Sequence, residues 1–260
     1  MIEGYYEKGF CYRSEKYNLI FVHVSKNATT SIKAIKEFEF TQDNILRFRQ
    51  EELRRYTIFT VVRSPKTRFI SAYLEILSRA SMDSPHILKY PFYWCKDQRN
   101  RFLMFLDELE RECFDVHLLP QYYFLSDHTG NPFKFNYVLN LENLNLEFKK
   151  MQYDLGIEPM FELTNKNTSQ EKNQSLDSFI LKVKAIGHLL SAKNGGEGRL
   201  PLVFEICDKI FRAFTRRKIP NPALLESFIN SDYMIEKRIG HLIAKDINFL
   251  NNIKNRSMGL

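Results

Sequence analysis

The stretch Leu19-Ile-Phe-Val-His-Val-Ser-Lys-Asn-Ala-Thr-Thr-Ser-Ile-Lys33 decides how the chain is read. Its first half is a short apolar run rich in β-branched and aromatic residues, the pattern of a buried strand. Its second half is small and hydroxylic, carries one lysine and runs into a helical pattern. A strand that ends in such a loop and opens a helix gathers free backbone N–H groups, and the positive end of the helix dipole, at one point. Lys26 adds a mobile cation there, and Thr29, Thr30 and Ser31 add hydroxyl donors. That chemistry suits a phosphate or sulfate group. No Gly-x-x-x-x-Gly-Lys-[Ser/Thr] sequence lies near it, so the loop is not a Walker A motif. On its own it reads first as an ordinary β–α junction whose hydroxyl caps the helix.

A second segment shifts the balance. Thr57-Ile-Phe-Thr-Val-Val62 is another buried-strand run, followed by Arg63-Ser-Pro-Lys-Thr-Arg-Phe-Ile-Ser-Ala-Tyr73. Pro65 suits the first turn of a helix, and Phe69, Ala72, Tyr73, Ile76 and Leu77 recur at helical spacing. Arg63 leaves the strand end, and Ser71 lies two turns into the helix on the side facing back toward it. An arginine fork and a hydroxyl can together hold a phosphate monoester. The plainer alternative is a surface charge and a neutral helix residue.

With both segments in hand, the chain resembles the carbohydrate sulfotransferases of the Golgi type and their bacterial relatives, which use 3′-phosphoadenosine 5′-phosphosulfate (PAPS). In that family a strand followed by Pro-Lys-x-x-x-Thr-[Ser/Thr] binds the 5′-phosphosulfate. A second strand followed by Arg-Asp-Pro-x-x-Arg-x-x-Ser-x-Tyr binds the 3′-phosphate. Val24 to Ser31 is similar to the first and Arg63 to Tyr73 to the second, in the same order and at a fitting separation. Asp115-Val-His-Leu-Leu-Pro-Gln121 looks like the family's Asp-x-His-x-x-Pro-Gln segment. Tyr137 to Leu144 resembles its late strand with a Glu-x-Leu turn, Asn165 to Ser169 its Asn-Lys-Ser loop, and Ile243 to Phe249 its closing helix with an Asp-Phe signature. The likeness runs from about residue 19 to residue 250, with 170–230 unmatched. Ser25 stands where proline is usual, Ala28 where glycine is common, Ser64 where aspartate is usual and Ile243 where tyrosine often sits. Ser25 and Ala28 are small enough to keep the loop geometry, neither demanding a positive φ. Ser64 removes a carboxylate that would orient the arginines.

The resemblance implies an α/β fold of P-loop-like, three-layer form, with a central parallel sheet flanked by helices and a helical C-terminal part. It implies sulfuryl transfer from PAPS, as co-substrate, to a hydroxyl of a carbohydrate or glycoconjugate acceptor. The cofactor residues are then Lys26, Asn27, Ala28, Thr29, Thr30, Ser31, Arg63 and Ser71. Lys26 is also the catalytic cation that stabilises the bridging oxygen as it becomes anionic. For the general base, His117 comes first because imidazole exchanges protons near neutrality. A loop histidine bonded to backbone is the competing reading. Glu37, with Glu39, is the second candidate, because related enzymes use a carboxylate soon after the lysine loop. No metal is required. Two other functions stand beside this one: a P-loop-type nucleotide kinase or NTPase, and a non-catalytic nucleotide- or glycan-binding relative.

Composition bounds these readings. A chain of 260 residues with 44% hydrophobic and 14% aromatic residues is ample for one globular α/β domain and unlike a disordered chain. One sulfotransferase domain is expected over 1–260, with a cofactor-binding core at about 19–155 and a mainly helical, acceptor-specific part at about 170–250. The net charge of +7 suits an anionic cofactor and an acidic glycan. No aromatic-and-basic interleaving points to nucleic acid. Cys11, Cys95, Cys113 and Cys207 are far apart, which indicates neither zinc nor a disulfide framework. No apolar stretch approaches a membrane span, and the N-terminus lacks a signal-peptide core. Golgi enzymes carry an anchor at this end, so a cytoplasmic, bacterial enzyme is expected, or a Golgi-lumen one if the chain is trimmed.

Along the chain, strand, helix, strand, helix through about residue 80 is a βαβα pattern, which implies a parallel sheet. Residues 81–100, with the Tyr90-Pro-Phe-Tyr-Trp94 cluster, read as a loop or lid whose aromatics pack as core or stack on a sugar. Helical patterning covers about 97–112, a strand 137–141, and a helix runs to about 155, ended by Gly156. A polar loop over 164–178, helices near 176–192 and 202–217, a flexible joint at 193–198 and a broken helix over 222–250 complete the expectation.

Overall fold

The computed structural model describes residues 7–79, 90–95, 97–112, 115–158, 161–163 and 222–257. The expected loop and helices of 164–217, the Asn165–Ser169 segment and half of the 81–100 loop lie outside the described residues. Five strands form one sheet: β1 (Phe10–Ser14), β2 (Leu19–Val22), β3 (Thr41–Asn44), β4 (Thr57–Val62) and β5 (Tyr137–Asn140), in the order β3-β1-β2-β4-β5. The helices are α1 (Thr29–Lys33), α2 (Gln50–Leu53), α3 (Pro65–Arg79), α4 (Pro91–Trp94), α5 (Gln98–Arg111), α6 (Gln121–Phe124), α7 (Leu144–Asp154), α8 (Pro222–Ser231) and α9 (Tyr233–Ser257).

The sheet is mixed, where an all-parallel one was expected. β2, β4 and β5 run parallel, with Val22 opposite Thr60 and Val62 opposite Asn140. β1 is antiparallel to both β2 and β3. The turn at residues 15–18 is far too short for a parallel crossover, so β1 can only fold back against β2. Asn18 closes that turn at φ +50, a left-handed conformation that asparagine tolerates.

Alternate residues of each strand face opposite sides. Phe10, Tyr12, Leu19, Phe21, Phe59 and Val61 pack with Ile32, Phe38, Phe148 and Met151 on one face. Cys11, Ile20, Val22, Ile58 and Val62 pack with Phe124, Leu250 and Ile253 on the other. The first face is covered by α1, the turn at 36–38 and α7, the second by α6 and α9. Burial on both faces is why 19–22 and 57–62 read as unbroken apolar runs. Gly156 follows α7 at φ +64, as its expected stop.

The chain divides into two compact units. One comprises Met1–Ala72, Cys113–Lys166 and Tyr233–Leu260; the other comprises Tyr73–Glu112 and Asn167–Asp232. The first holds the whole sheet. α9 belongs with it, so the end of the expected acceptor-specific part is built into the sheet's own core. The second contains α4, α5 and α8, and its interior is aromatic: the Tyr73 ring lies 4.9 Å from Phe102 and 4.7 Å from Phe105. Tyr90, Phe92 and Tyr93 are buried there, and Trp94 of the same cluster is 53% exposed. Among the described residues, no helix is long and apolar enough to cross a membrane.

Candidate functional site

The parallel register of β2 and β4 sends the loops after them out of the same sheet edge, where α/β sheets form their ligand sites. In the first loop Asn27 is fully buried. Its side-chain amide donates to Val61 O (2.9 Å) and to Gln121 Oε1 (2.7 Å), which fixes the amide orientation and pins the loop against β4. Lys26 and Ala28 flank it at φ +73 and +56, both in the left-handed region. Ala28 therefore occupies a glycine conformation, contrary to the expectation that neither small residue demands one.

The loop's two ends are tied together by Thr29. Its hydroxyl donates to Val24 O (3.3 Å) and lies 2.6 Å from Nδ1 of buried His23, which then donates to it. Burial pushes His23 down to about 3, with Arg68, Lys33 and His117 adding to the shift, so the imidazole is neutral. His23 packs edge-on against Phe10 and Phe124 as part of the core.

The amide groups of the loop are not all turned outward. Asn27 N–H donates to Val24 O and Ser31 N–H to Ala28 O. That leaves Ala28, Thr29 and Thr30 as the amides that open α1, where no preceding helical carbonyl can take them. The helix is five residues long. Its dipole is correspondingly small, and Lys26 with the three amides carries more of the attraction for an anion than the dipole does.

The second loop is ordered from three directions. Ser64 N–H donates to Glu142 Oε1 (3.2 Å), which brings a carboxylate from the turn after β5 to the start of the second loop. Ser64 O accepts from the Thr67 hydroxyl and from Arg68 N–H, starting α3 at Pro65. Arg63 is half-buried, and its Nε donates to Thr67 Oγ1 (3.1 Å). Arg68 is buried and donates to Ser25 O (3.0 Å) and Leu119 O (2.7 Å), joining α3 to the first loop and to the 115–121 segment. Ser71 is half-buried on α3.

Gln121, the last residue of the 115–121 segment and one with no role expected of it, lies at the centre. Its Oε1 accepts from Asn27 Nδ2 and from Arg63 N–H (3.1 Å), while its Nε2 donates to Arg63 O (2.8 Å). One fully buried amide thus holds both loops. Asp246 of α9 accepts from the backbone N–H groups of Gln121 (2.8 Å) and Tyr122 (2.9 Å). Burial pushes the Asp246 carboxyl up; those two N–H groups and Arg68 pull it back. Asp246 sits in the apolar stripe of Ile235, Ile239, Leu250 and Ile253, all buried. The sequence carries two signals for it: the Asp-Phe likeness at 243–249 and a lone carboxylate in an apolar stripe.

The two proposed bases differ in setting. His117 is buried; its Nδ1 donates to Asp115 Oδ1 (3.0 Å), and the same oxygen accepts His117 N–H (2.8 Å). Its carbonyl lies 3.4 Å from Arg68 Nη2. Glu37 is exposed in the 36–38 turn, and Glu39 is paired with Lys16 at 2.7 Å. Among the described residues, no group of three or more His, Cys, Asp or Glu side chains is arranged to hold a metal ion.

A sulfotransferase family model matches residues 11–185, which takes in β1, both loops, Asp115, His117 and Gln121. No curated protein and no solved structure matches the chain. The match covers well over half of the chain and contains the residues that build the two-loop site, and the protein belongs to the sulfotransferase family.

Proposed function

We propose that the protein moves a sulfuryl group from PAPS to a hydroxyl of a carbohydrate or glycoconjugate acceptor. The observation that carries this reading is the joining of the Lys26 loop and the Arg63 loop by one buried amide at the ends of adjacent parallel strands. That arrangement suits a ligand with two separated phosphate groups. Lys26 and the amides of Ala28, Thr29 and Thr30 would hold the 5′-phosphosulfate end, and Arg63 with Ser71 the 3′-phosphate. The bound nucleotide supplies a sulfuryl group already activated for in-line displacement.

The chain's own residues then have three tasks. The loops fix the nucleotide's register, which sets the line of attack. Lys26 neutralises the phosphate oxygen that departs as the sulfur–oxygen bond breaks. A base takes the acceptor's proton. His117 fits that role better than Glu37, because Asp115 holds its Nδ1–H and sets proton uptake at Nε2. The basic chain, at +7, favours an anionic nucleotide through steering.

Calorimetric titration with 3′-phosphoadenosine 5′-phosphate, against 5′-AMP and ATP–Mg²⁺, tests the reading. Micromolar or tighter binding of the bisphosphate, about tenfold or more tighter than that of 5′-AMP and brought down to the 5′-AMP level in Arg63→Ala, is expected; a preference for ATP–Mg²⁺ would overturn it. Lys26→Ala should lower kcat about 100-fold or more with little change in fold.

A further inference from the structure

Asp246 lies beyond the residues matched by the family model, yet it is one bond away from the side chain that spans both loops. The contacts form an unbroken series across distant parts of the chain. The Asp246 carboxylate takes the first two N–H groups of α6, which fixes where the Gln121 side chain starts. The Gln121 amide then uses its oxygen on Asn27 and Arg63 and one N–H on Arg63 O. Both side chains are almost wholly buried, Gln121 at 0% and Asp246 at 3% exposed, so water does not substitute for either. Two further contacts hold α9 along the same side of the unit: Lys66 of α3 pairs with Glu236 (2.8 Å), and Lys254 donates to Asn140 Oδ1 at the end of β5 (2.6 Å).

A side chain bonded to two loops at once fixes the distance between them. A ligand that touches one loop does not sense that distance; a ligand that spans both does. We propose that Gln121, held by Asp246 of the C-terminal helix, is a positioning residue that sets the spacing of the two anion loops and makes α9 part of nucleotide recognition; the nucleotide side of this inference rests on the function proposed above. Gln121 touches no phosphate itself. Its action is on the backbone of Arg63 and the side chain of Asn27.

The experiment compares the full-length protein with Asp246→Asn and Gln121→Ala. Asn at 246 keeps the size but can accept only one of the two N–H bonds, so it is the milder change and serves where Gln121→Ala fails to fold. Amide hydrogen exchange of the ligand-free proteins is followed at residues 24–31 and 63–68, and nucleotide affinity is measured with 3′-phosphoadenosine 5′-phosphate and with 5′-AMP. Faster exchange in both loops is expected, with unchanged protection in β2 and β4. Affinity for the bisphosphate should fall about tenfold or more and that for 5′-AMP by a clearly smaller factor, because 5′-AMP meets only one of the two loosened loops. A purely structural role would weaken both nucleotides alike. Unchanged exchange in both loops of the folded variants, or equal loss for both nucleotides, overturns the inference. Loosened loops in a protein whose wild type binds neither nucleotide would uphold the coupling of α9 to the loops and overturn the PAPS reading instead.

Discussion

Ala28 at φ +56 is an alanine in a conformation that disfavours any Cβ. Left-handed backbone costs a non-glycine residue about 1 kcal/mol or more, and Ala28 is held there by the buried Asn27 anchor and by the turn into α1. Ala28→Gly should therefore stabilise the protein by about 0.5–1 kcal/mol, after allowing for the extra freedom glycine gives the unfolded chain. Urea unfolding at neutral pH checks this; a lowered midpoint would mean that the packing of the methyl against the core outweighs the strain. Side-chain chemistry at this scale was legible where it is local. Lys26, Arg63 and the hydroxyls stand next to strand ends, and a strand end is readable from a few residues. Gln121 was not legible as a site residue, because its importance comes from Asn27, 94 residues away, and Asp246, 125 residues away.

The junction between β2 and α1 is also where acid should act on the fold. His23 ordinarily takes a proton at 6.5, but in the folded protein it does so only near 3. The unfolded chain thus gains a proton that the folded chain refuses. The stability His23 contributes is complete above about pH 6.5 and is lost as the pH falls from there toward 3, by up to about 1.4 kcal/mol per pH unit. His23→Gln should flatten the fall in unfolding free energy between pH 6.5 and 5; an unchanged slope would assign acid sensitivity to other groups. Among the elements, β2, β4, β5, α3, α5 and α7 follow their periodicities closely, and the break between α8 and α9 falls inside the expected broken helix. β1 and β3 were missed for a physical reason. Thr41-Gln-Asp-Asn44 has the composition of a loop and becomes a strand only because β1 offers it a ladder, with Phe10 opposite Asn44 and Arg13 opposite Thr41. Without β3 and the short 15–18 turn in view, the sheet could only be read as parallel.

For the molecule as a whole, α9 is a part of the core that arrives last. Ile235, Ile239, Leu250 and Ile253 are buried, and burying four such side chains stabilises by roughly 6–12 kcal/mol in gross terms, comparable with the whole stability of a typical domain. A chain ended at Asp232 should show no cooperative thermal transition by circular dichroism; a normal transition would make α9 an accessory. The hydrogen bonds that tie the two loops together therefore join parts of the sequence about a hundred residues apart, and such contacts form only after long loops have closed. A chain emerging from the ribosome presents both loops early, when residue 73 is out, yet lacks the Asp246 carboxylate that bonds the start of α6 until residue 246 has followed. During synthesis, then, if the proposed function holds, tight capture of the nucleotide would mark the arrival of α9: the shorter chain has both loops, and only the chain that includes Asp246 has the hydrogen bonds that tie them together.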